Sequence, residues 1–323
     1  METKETHLHE RFSQNFSGAT TDLKDLIELR YSAKAVGYQR KIRAESQISG
    51  LISSNIKGRG IDFSEVRRYQ PGDDIRNIDW KVTARTQSPH TKLFTEEKER
   101  PVFFLVDQSA SMFFGSKVTF KSVVAARTAS ILAWSALEQG DRIGGIIFSD
   151  LAQQQIRPKR NIKTVLMFLK TLNDFNHELT RSSKNSVAEY GEKQITRQLV
   201  HLRRIIKDKS LIFFISDFSK LNFETSIELK SLARSNKIVG VHIYDQMERQ
   251  LPPPNLYTVT DGTSRSKLNT SGKELNQNYS RKFDARLEKI ISEFKEINSS
   301  IISLSTTASI EKELLKSQIL NQK

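Results

Sequence analysis

The sequence contains no cysteine, which excludes disulfides and thiolate metal sites and fits a reducing compartment. Long hydrophobic runs are missing too. The longest apolar stretch, Val123 to Leu137, carries Arg127 and is too short to span a bilayer. The opening METKETHLHERF is polar with no apolar core, so no secretory signal is expected and the cytoplasm is the expected location. There is no P-loop, which removes that class of nucleotide hydrolase, and no G-x-S-x-G elbow for serine hydrolysis. The six histidines include no HExxH pair. His201 falls in a helical pattern and His242 in a strand pattern, so both read as packing or surface residues.

What remains is an ordinary globular composition, 37% hydrophobic and 27% charged, in 323 residues. That is enough chain to bury a sizeable core. The net charge is +14, with local clusters at 157–163 (RPKRNIK) and 203–209 (RRIIKDK). Neither cluster interleaves aromatics as a base-stacking platform would. The charge therefore reads as a solvated face or a patch for an acidic partner, and no specific nucleic acid is expected.

Three stretches are expected: a flexible start over 1–21, an extension over 22–100, and a domain over 101–323. Asp22 is placed to cap a helix in which Leu23, Leu26, Ile27 and Leu29 recur at helical spacing. From Pro101 the texture changes. VFFLVD (102–107), RIGGIIF (142–148), LIFFIS (211–216), IVGVHIY (238–244) and IISLS (301–305) are short apolar runs of buried-strand type. Helical patterns separate them over 120–138, 162–172, 187–206, 223–233, 281–296 and 310–320, and PPPNLYTVTDGT reads as a loop and hairpin. Apolar strands alternating with helices predict a doubly wound α/β domain with a mostly parallel sheet. Ligands in such folds sit at the carboxyl ends of strands where the chain order switches, which singles out Asp107 and Asp217.

Asp107-Gln108-Ser109-Ala110-Ser111 leaves the first of these strands. A carboxylate followed by two alternating hydroxyls offers three hard oxygens at one point, a set that suits Mg2+ or Mn2+. Asp217 is placed to add a second carboxylate. The spacing resembles the metal-ion-dependent adhesion site (MIDAS) of von Willebrand factor A domains, DxSxS with a distant Thr and Asp. The competing reading is that the hydroxyls cap the next helix and Asp107 accepts backbone N–H groups. A haloacid-dehalogenase phosphatase would need a second Asp at position 109, where Ser109 stands.

The segment 67–85, RRYQPGDDIRNIDWKVTAR, poses a separate question. Pro71-Gly72 marks a tight turn. Arg67, Arg68, Arg76 and Arg85 are expected to fork onto Asp73, Asp74 and Asp79, with Ile75, Ile78 and Trp80 as apolar anchors. The alternative is a metal-dependent nuclease or nucleic-acid-binding protein using the carboxylates between 62 and 79 with the basic clusters. Arginines matched to the carboxylates would compete with such metals, which favours the structural network.

GRGIDFSEVRRYQPGDDIRNIDWKVTAR followed by TEEKERPVFFLVDQSASM resembles the signature of domain-of-unknown-function family 58. The resemblance continues through GDRIGGIIFSD and LIFFISDF and covers roughly 23–245. Such bacterial proteins carry a von Willebrand factor A-like (Rossmann-like) domain and are generally encoded beside MoxR-type AAA+ ATPases. The resemblance implies a non-enzymatic protein-binding adaptor, acting with the ATPase in chaperone-like assembly or maturation of protein complexes. It implies a MIDAS-like site of Asp107, Ser109, Ser111 and Asp217, completed by a partner carboxylate. Many relatives carry membrane helices, and this chain resembles the type without them. One departure stands out. Relatives often have Thr-x-Leu-x-x-x-Leu before the last Asp-ending strand; here Ile195 and Leu199 take the apolar positions and Lys193 takes the Thr position. An ammonium there would pair with Asp107 or Asp217 in place of an ion, and Thr196 would serve only in a shifted register. Oligomeric state and client are left open.

Overall fold

The computed structural model describes residues 18–36, 61–96, 101–182, 193–260 and 265–320. The chain divides into two compact units, one of Met1–Gln39 with Arg100–Lys323 and one of Arg40–Glu99. Helices α1 (Leu23–Glu28) and α2 (Arg30–Val36) belong with the larger unit. Asp22 caps α1 as expected, its Oδ1 accepting the Lys24 N–H at 2.8 Å. Residues 1–17 of the expected flexible start lie outside the described residues, but its last residue is held in place. The Thr21 N–H donates to Asn176 Oδ1 at 2.9 Å, and the Thr21 carbonyl meets His177 Nε2 at 2.7 Å.

The smaller unit pairs β1 (Ile61–Arg68) with β2 (His90–Glu96) in an antiparallel ladder. Between them lie a 3-10 turn (Ile75–Asn77) and helix α3 (Trp80–Thr86). Gly72 takes φ 108° in the Pro-Gly turn, where a side chain would be strained.

In the larger unit the order is β3 (Pro101–Asp107), α4 (Lys121–Glu138), β4 (Arg142–Phe148), β5 (Gln153–Lys159), α5 (Ile162–Ser182) and α6 (Gln194–Ile205). Then follow β6 (Leu211–Ser216), α7 (Phe223–Ala233), β7 (Lys237–Tyr244), α8 (Gln246–Arg249) and a hairpin of β8 (Leu256–Thr260) and β9 (Arg265–Asn269). Helix α9 (Lys273–Glu296), β10 (Ser300–Ser305) and α10 (Ile310–Leu320) complete it. The six-stranded sheet runs β10-β7-β6-β3-β4-β5 and is parallel except for β5. A mostly parallel α/β sheet flanked by helices is what the alternating apolar runs predict.

Alternate residues of each strand serve opposite faces. Phe103, Leu105, Phe214 and Ile238 pack with Ile195, Leu199 and Leu202 of α6, Leu229 and Leu232 of α7, and Ile290 and Phe294 of α9. On the other face Phe104 meets Phe213 and, from α5, Phe168, with ring centroids 5.4 and 5.3 Å apart. Helix α4 is buried along almost its whole length, and its alanines 125, 126, 129, 133 and 136 let neighbouring elements approach closely. Among the described residues no helix is long and apolar enough to cross a membrane.

Two helices run longer than their apolar periodicity indicates. α5 continues to Ser182, burying Phe175 and Leu179, and α9 starts at Lys273 on turns that are mostly exposed and polar. The expected helix 187–206 is observed as α6 from Gln194; 187–192 lie outside the described residues. Strand β5 escapes the apolar-run criterion because QQQIRPK buries only Ile156. As an edge strand it tolerates polar residues and Pro158.

At Gly240 of β7 helix α9 approaches the sheet closely: a Cβ there would lie 2.6 Å from the Phe294 ring. Gly240→Ala is expected to cost about 1–3 kcal/mol through overpacking, measured as a lower urea midpoint; an unchanged midpoint would show that α9 can move away freely.

Candidate functional site

The chain leaves β3, builds β4 and β5 on one side, and returns to β6 on the other side of β3. Strand order therefore reverses between β3 and β6, and the loops that diverge there leave a crevice at their carboxyl ends. Asp107 closes β3 and Asp217 follows β6. The parallel register, with Val106 opposite Ile215, places Asp107 beside Ser216, whose hydroxyl donates to Asp107 Oδ2 at 2.7 Å.

Asp107 Oδ1 accepts the Ser109 N–H at 2.9 Å, the contact foreseen by the capping reading. The hydroxyls depart from that reading. Ser109 begins a 3-10 turn without a side-chain cap, and its Oγ lies 3.2 Å from Ser111 Oγ. Three of the four expected oxygens thus come from one loop. Asp107 and Ser109 are buried under the rim, at 1% and 2% exposure, and only Ser111 is half-exposed. Burial first, and the neighbouring Asp217 charge second, push the Asp107 carboxyl up to about 6.

Asp217 is engaged elsewhere. Its Oδ2 accepts from Lys121 Nζ at 2.8 Å, and its Oδ1 accepts the Ser219 N–H at 2.9 Å. Lys121 Nζ also donates to Glu248 Oε1 at 2.7 Å. Burial opposes the charged form of Asp217, but the Lys121 ammonium and the Ser219 bonds outweigh it and hold the carboxyl down to about 2. Burial likewise opposes the Lys121 charge and is outweighed by Asp217 and Glu248, so the ammonium is raised above its ordinary value. A cleft of about 10 Å3 opens beside Asp217 and is lined in part by Ser219, His242, Glu248 and Arg286. It has room for about one water.

Lys193 does not reach this site. It is exposed at the start of α6, and the ammonium that meets Asp217 belongs to Lys121. Thr196 lies 3.1 Å from the hydroxyl of Thr225 on α7. Lys121 and Glu248 were not singled out in the sequence, although there were signals: a lysine opening an apolar helix, and Glu248 three residues after Asp245 in a capping box. Asp150 is a further such residue. Its Oδ2 accepts the Ala110 N–H at 2.7 Å and its Oδ1 accepts from Lys220 at 2.8 Å, tying the β4–β5 turn to the loops after β3 and β6. Asp245 does the same after β7, accepting from the Ser116 N–H at 3.0 Å and the Thr306 hydroxyl at 2.6 Å. His242 is buried against Tyr244 and Phe218, and burial lowers its pKa to about 4, so it packs as a neutral ring.

The residues fit a hexacoordinate ion only in part. Each oxygen of Asp107 and Asp217 already accepts a hydrogen bond, and an ammonium sits on Asp217. Among the described residues no group of three or more His, Asp or Glu forms a metal cluster.

The 67–85 network is more local than expected. Arg67 pairs with Asp73 at 2.7 Å, while Asp73 Oδ2 also accepts the Gln70 N–H. Asp74 caps the 3-10 turn through the Arg76 N–H, and Asp79 caps α3 through the N–H groups of Lys81 and Val82. The cation near Asp79 is Lys92, at 3.6 Å. Arg68, Arg76 and Arg85 are exposed, because short aspartates reach their own backbone donors before long arginines can order around them. Ile78 is half-buried, whereas Ile75 and Trp80, expected as anchors, are 65% and 69% exposed. The carboxylates of Asp73, Asp74 and Asp79 therefore serve turns and helix starts; the side chains of 61–65 lie outside the described residues.

Lys121→Met should cost about 3–5 kcal/mol by leaving Asp217 buried and unpaired, and Lys121→Met/Asp217→Asn should recover most of it; chemical denaturation checks both. The raised Asp107 carboxyl favours the folded state below its ordinary 3.8, and that contribution is lost as pH rises through about 6. Asp107→Asn is therefore expected to remove a decline on the order of 3 kcal/mol in unfolding free energy between about pH 4 and pH 7. Equal slopes for the two proteins would overturn the assignment.

The mycobacterial protein described as uncharacterized protein Rv1480, of Mycobacterium tuberculosis strain H37Rv, is 24% identical over 229 residues, 69% of this chain and 69% of its own. Uncharacterized protein YeaD of Bacillus subtilis strain 168 is 38% identical over 81 residues, 25% of this chain and 18% of its own. Of solved structures, the conserved hypothetical protein BatB from Bacteroides thetaiotaomicron is similar at a TM-score of 0.42 and 14% identity, covering 69% of this chain and 100% of that one. Residues 65–289 match the family described as protein of unknown function DUF58, and the chain belongs to that family.

Proposed function

We propose that this chain is a non-enzymatic, cytoplasmic protein-binding adaptor that acts with a MoxR-type AAA+ ATPase in the assembly or maturation of protein complexes. Its docking face is the strand-end rim of a von Willebrand factor A-like domain. The observation that carries the reading is the make-up of that rim. The loops after β3, β4 and β6 are cross-tied by Asp150, and they hold Phe114, Val118, Leu151 and Phe223 out to solvent. Leu151 and Phe223 are 69% and 81% exposed. Lys117 and Lys193 are exposed near the same loops, Lys193 beside Gln194, whose side chain donates to the Ser149 carbonyl. Large apolar groups on a tied scaffold, with cations around them, suit a protein surface that is itself apolar and acidic. Because Asp107 and Ser109 lie beneath the rim, they shape the β3 loop and leave direct contact to Ser111 and the exposed side chains.

Leu151→Glu/Phe223→Glu should weaken binding of the co-encoded MoxR-type ATPase at least about tenfold, as loss of interface anchors does. Rising salt should slow association. The measurement is surface-immobilised binding with a circular-dichroism check of the fold. Unchanged affinity would remove the strand-end rim as the docking face.

A further inference from the structure

The strand-end site already contains a cation of its own. Lys121 is the first residue of α4, directly downstream of the Ser109–Ser111 loop, and its side chain is 2% exposed. Its ammonium bridges Asp217 and Glu248 at 2.8 and 2.7 Å. One charge thereby joins α4, the loop after β6 and helix α8 after β7, the cross-linking that a bound ion would perform in an oxygen-lined crevice.

Two further observations point the same way. The four oxygens of Asp107 and Asp217 accept from Ser109 N–H, Ser216 Oγ, Lys121 Nζ and Ser219 N–H. An ion added to this set would compete with donors already in place and would share Asp217 with an ammonium of like charge. Lys193, which the family resemblance puts at the distant Thr position, is exposed, and Thr196 is turned to Thr225.

We infer that Lys121 is the resident cation of the strand-end site, and that the site and the docking built on it operate without a divalent metal. The docking half of this inference rests on the adaptor reading, while the metal half stands without it.

The test uses the full chain and Mn2+ as the probe. Electron paramagnetic resonance at about 1 mM Mn2+, the weak end of protein sites for divalent ions, should show the same free-ion signal with and without protein. Saturable 1:1 Mn2+ binding that disappears in Asp107→Asn would overturn the inference. Binding retained in Asp107→Asn would place the ion elsewhere and leave the strand-end site metal-free, as inferred. In parallel, affinity for the co-encoded ATPase should agree within twofold in EDTA and in Mg2+. Loss in EDTA that Mg2+ restores for the wild type but not for Asp107→Asn would also overturn it. If the ATPase does not bind under either condition, the adaptor reading fails, and the Mn2+ measurement still decides the metal half.

Discussion

A lysine and an aspartate meeting in a nearly dry interior set the character of this molecule. Lys121 and Asp217 are each costly to bury alone, and each makes the other tenable. Their contact is possible because α4 starts beside the crevice where strand order reverses, and because β6 ends one residue before Asp217. Glu248, more open to solvent, takes a second hydrogen of the same ammonium. The neighbouring Asp107 has hydrogen-bond donors but no cation of its own among the contacts described, and burial beside Asp217 favours its protonated form. Two carboxylates at adjacent strand ends are thus driven in opposite directions, Asp107 up chiefly by burial and Asp217 down by the Lys121 ammonium, which outweighs burial there.

Two other strand ends use the same device, through the half-buried Asp150 and the buried Asp245. Asp150 and Asp245 stand just past β4 and β7, and each accepts from a backbone N–H of the β3–α4 segment as well as from a more distant partner. Charge-assisted bonds of this kind hold irregular backbone where no ladder is available to satisfy its donors. The result is a rim whose loops are fixed to one another while their apolar tips remain outside. A fixed loop loses little further entropy when a partner arrives, and the proposed docking through Leu151 and Phe223 would gain from such a scaffold.

The smaller unit distributes its charges on a shorter range. Asp73, Asp74 and Asp79 each bond within a few residues of themselves, so the segment is organised by its own turn and helix start. Arg68, Arg76, Arg85 and the Trp80 ring are left toward solvent. A dense mixture of opposite charges therefore did not become a mutual network, because local backbone donors are always within reach and distant guanidinium groups must be ordered first.

The sequence by itself determined the α/β architecture, the strands β3, β4, β6, β7 and β10, and the position of Asp107 and Asp217 at the carboxyl ends of two of them. Apolar runs of strand length and the alternation of strand and helix are chain-local signals, and the carboxyl-end rule then locates the crevice. The polar edge strand β5 was not legible, since an edge strand buries too little to need an apolar run. Only the tertiary structure decided which cation meets Asp217. Lys121 and Asp217 are 96 residues apart, and a lysine at a helix start looks solvated until the fold closes over it. Burial, too, was decided there: exposure of Trp80 and enclosure of Asp107 depend on what packs above each side chain, which no spacing along the chain encodes.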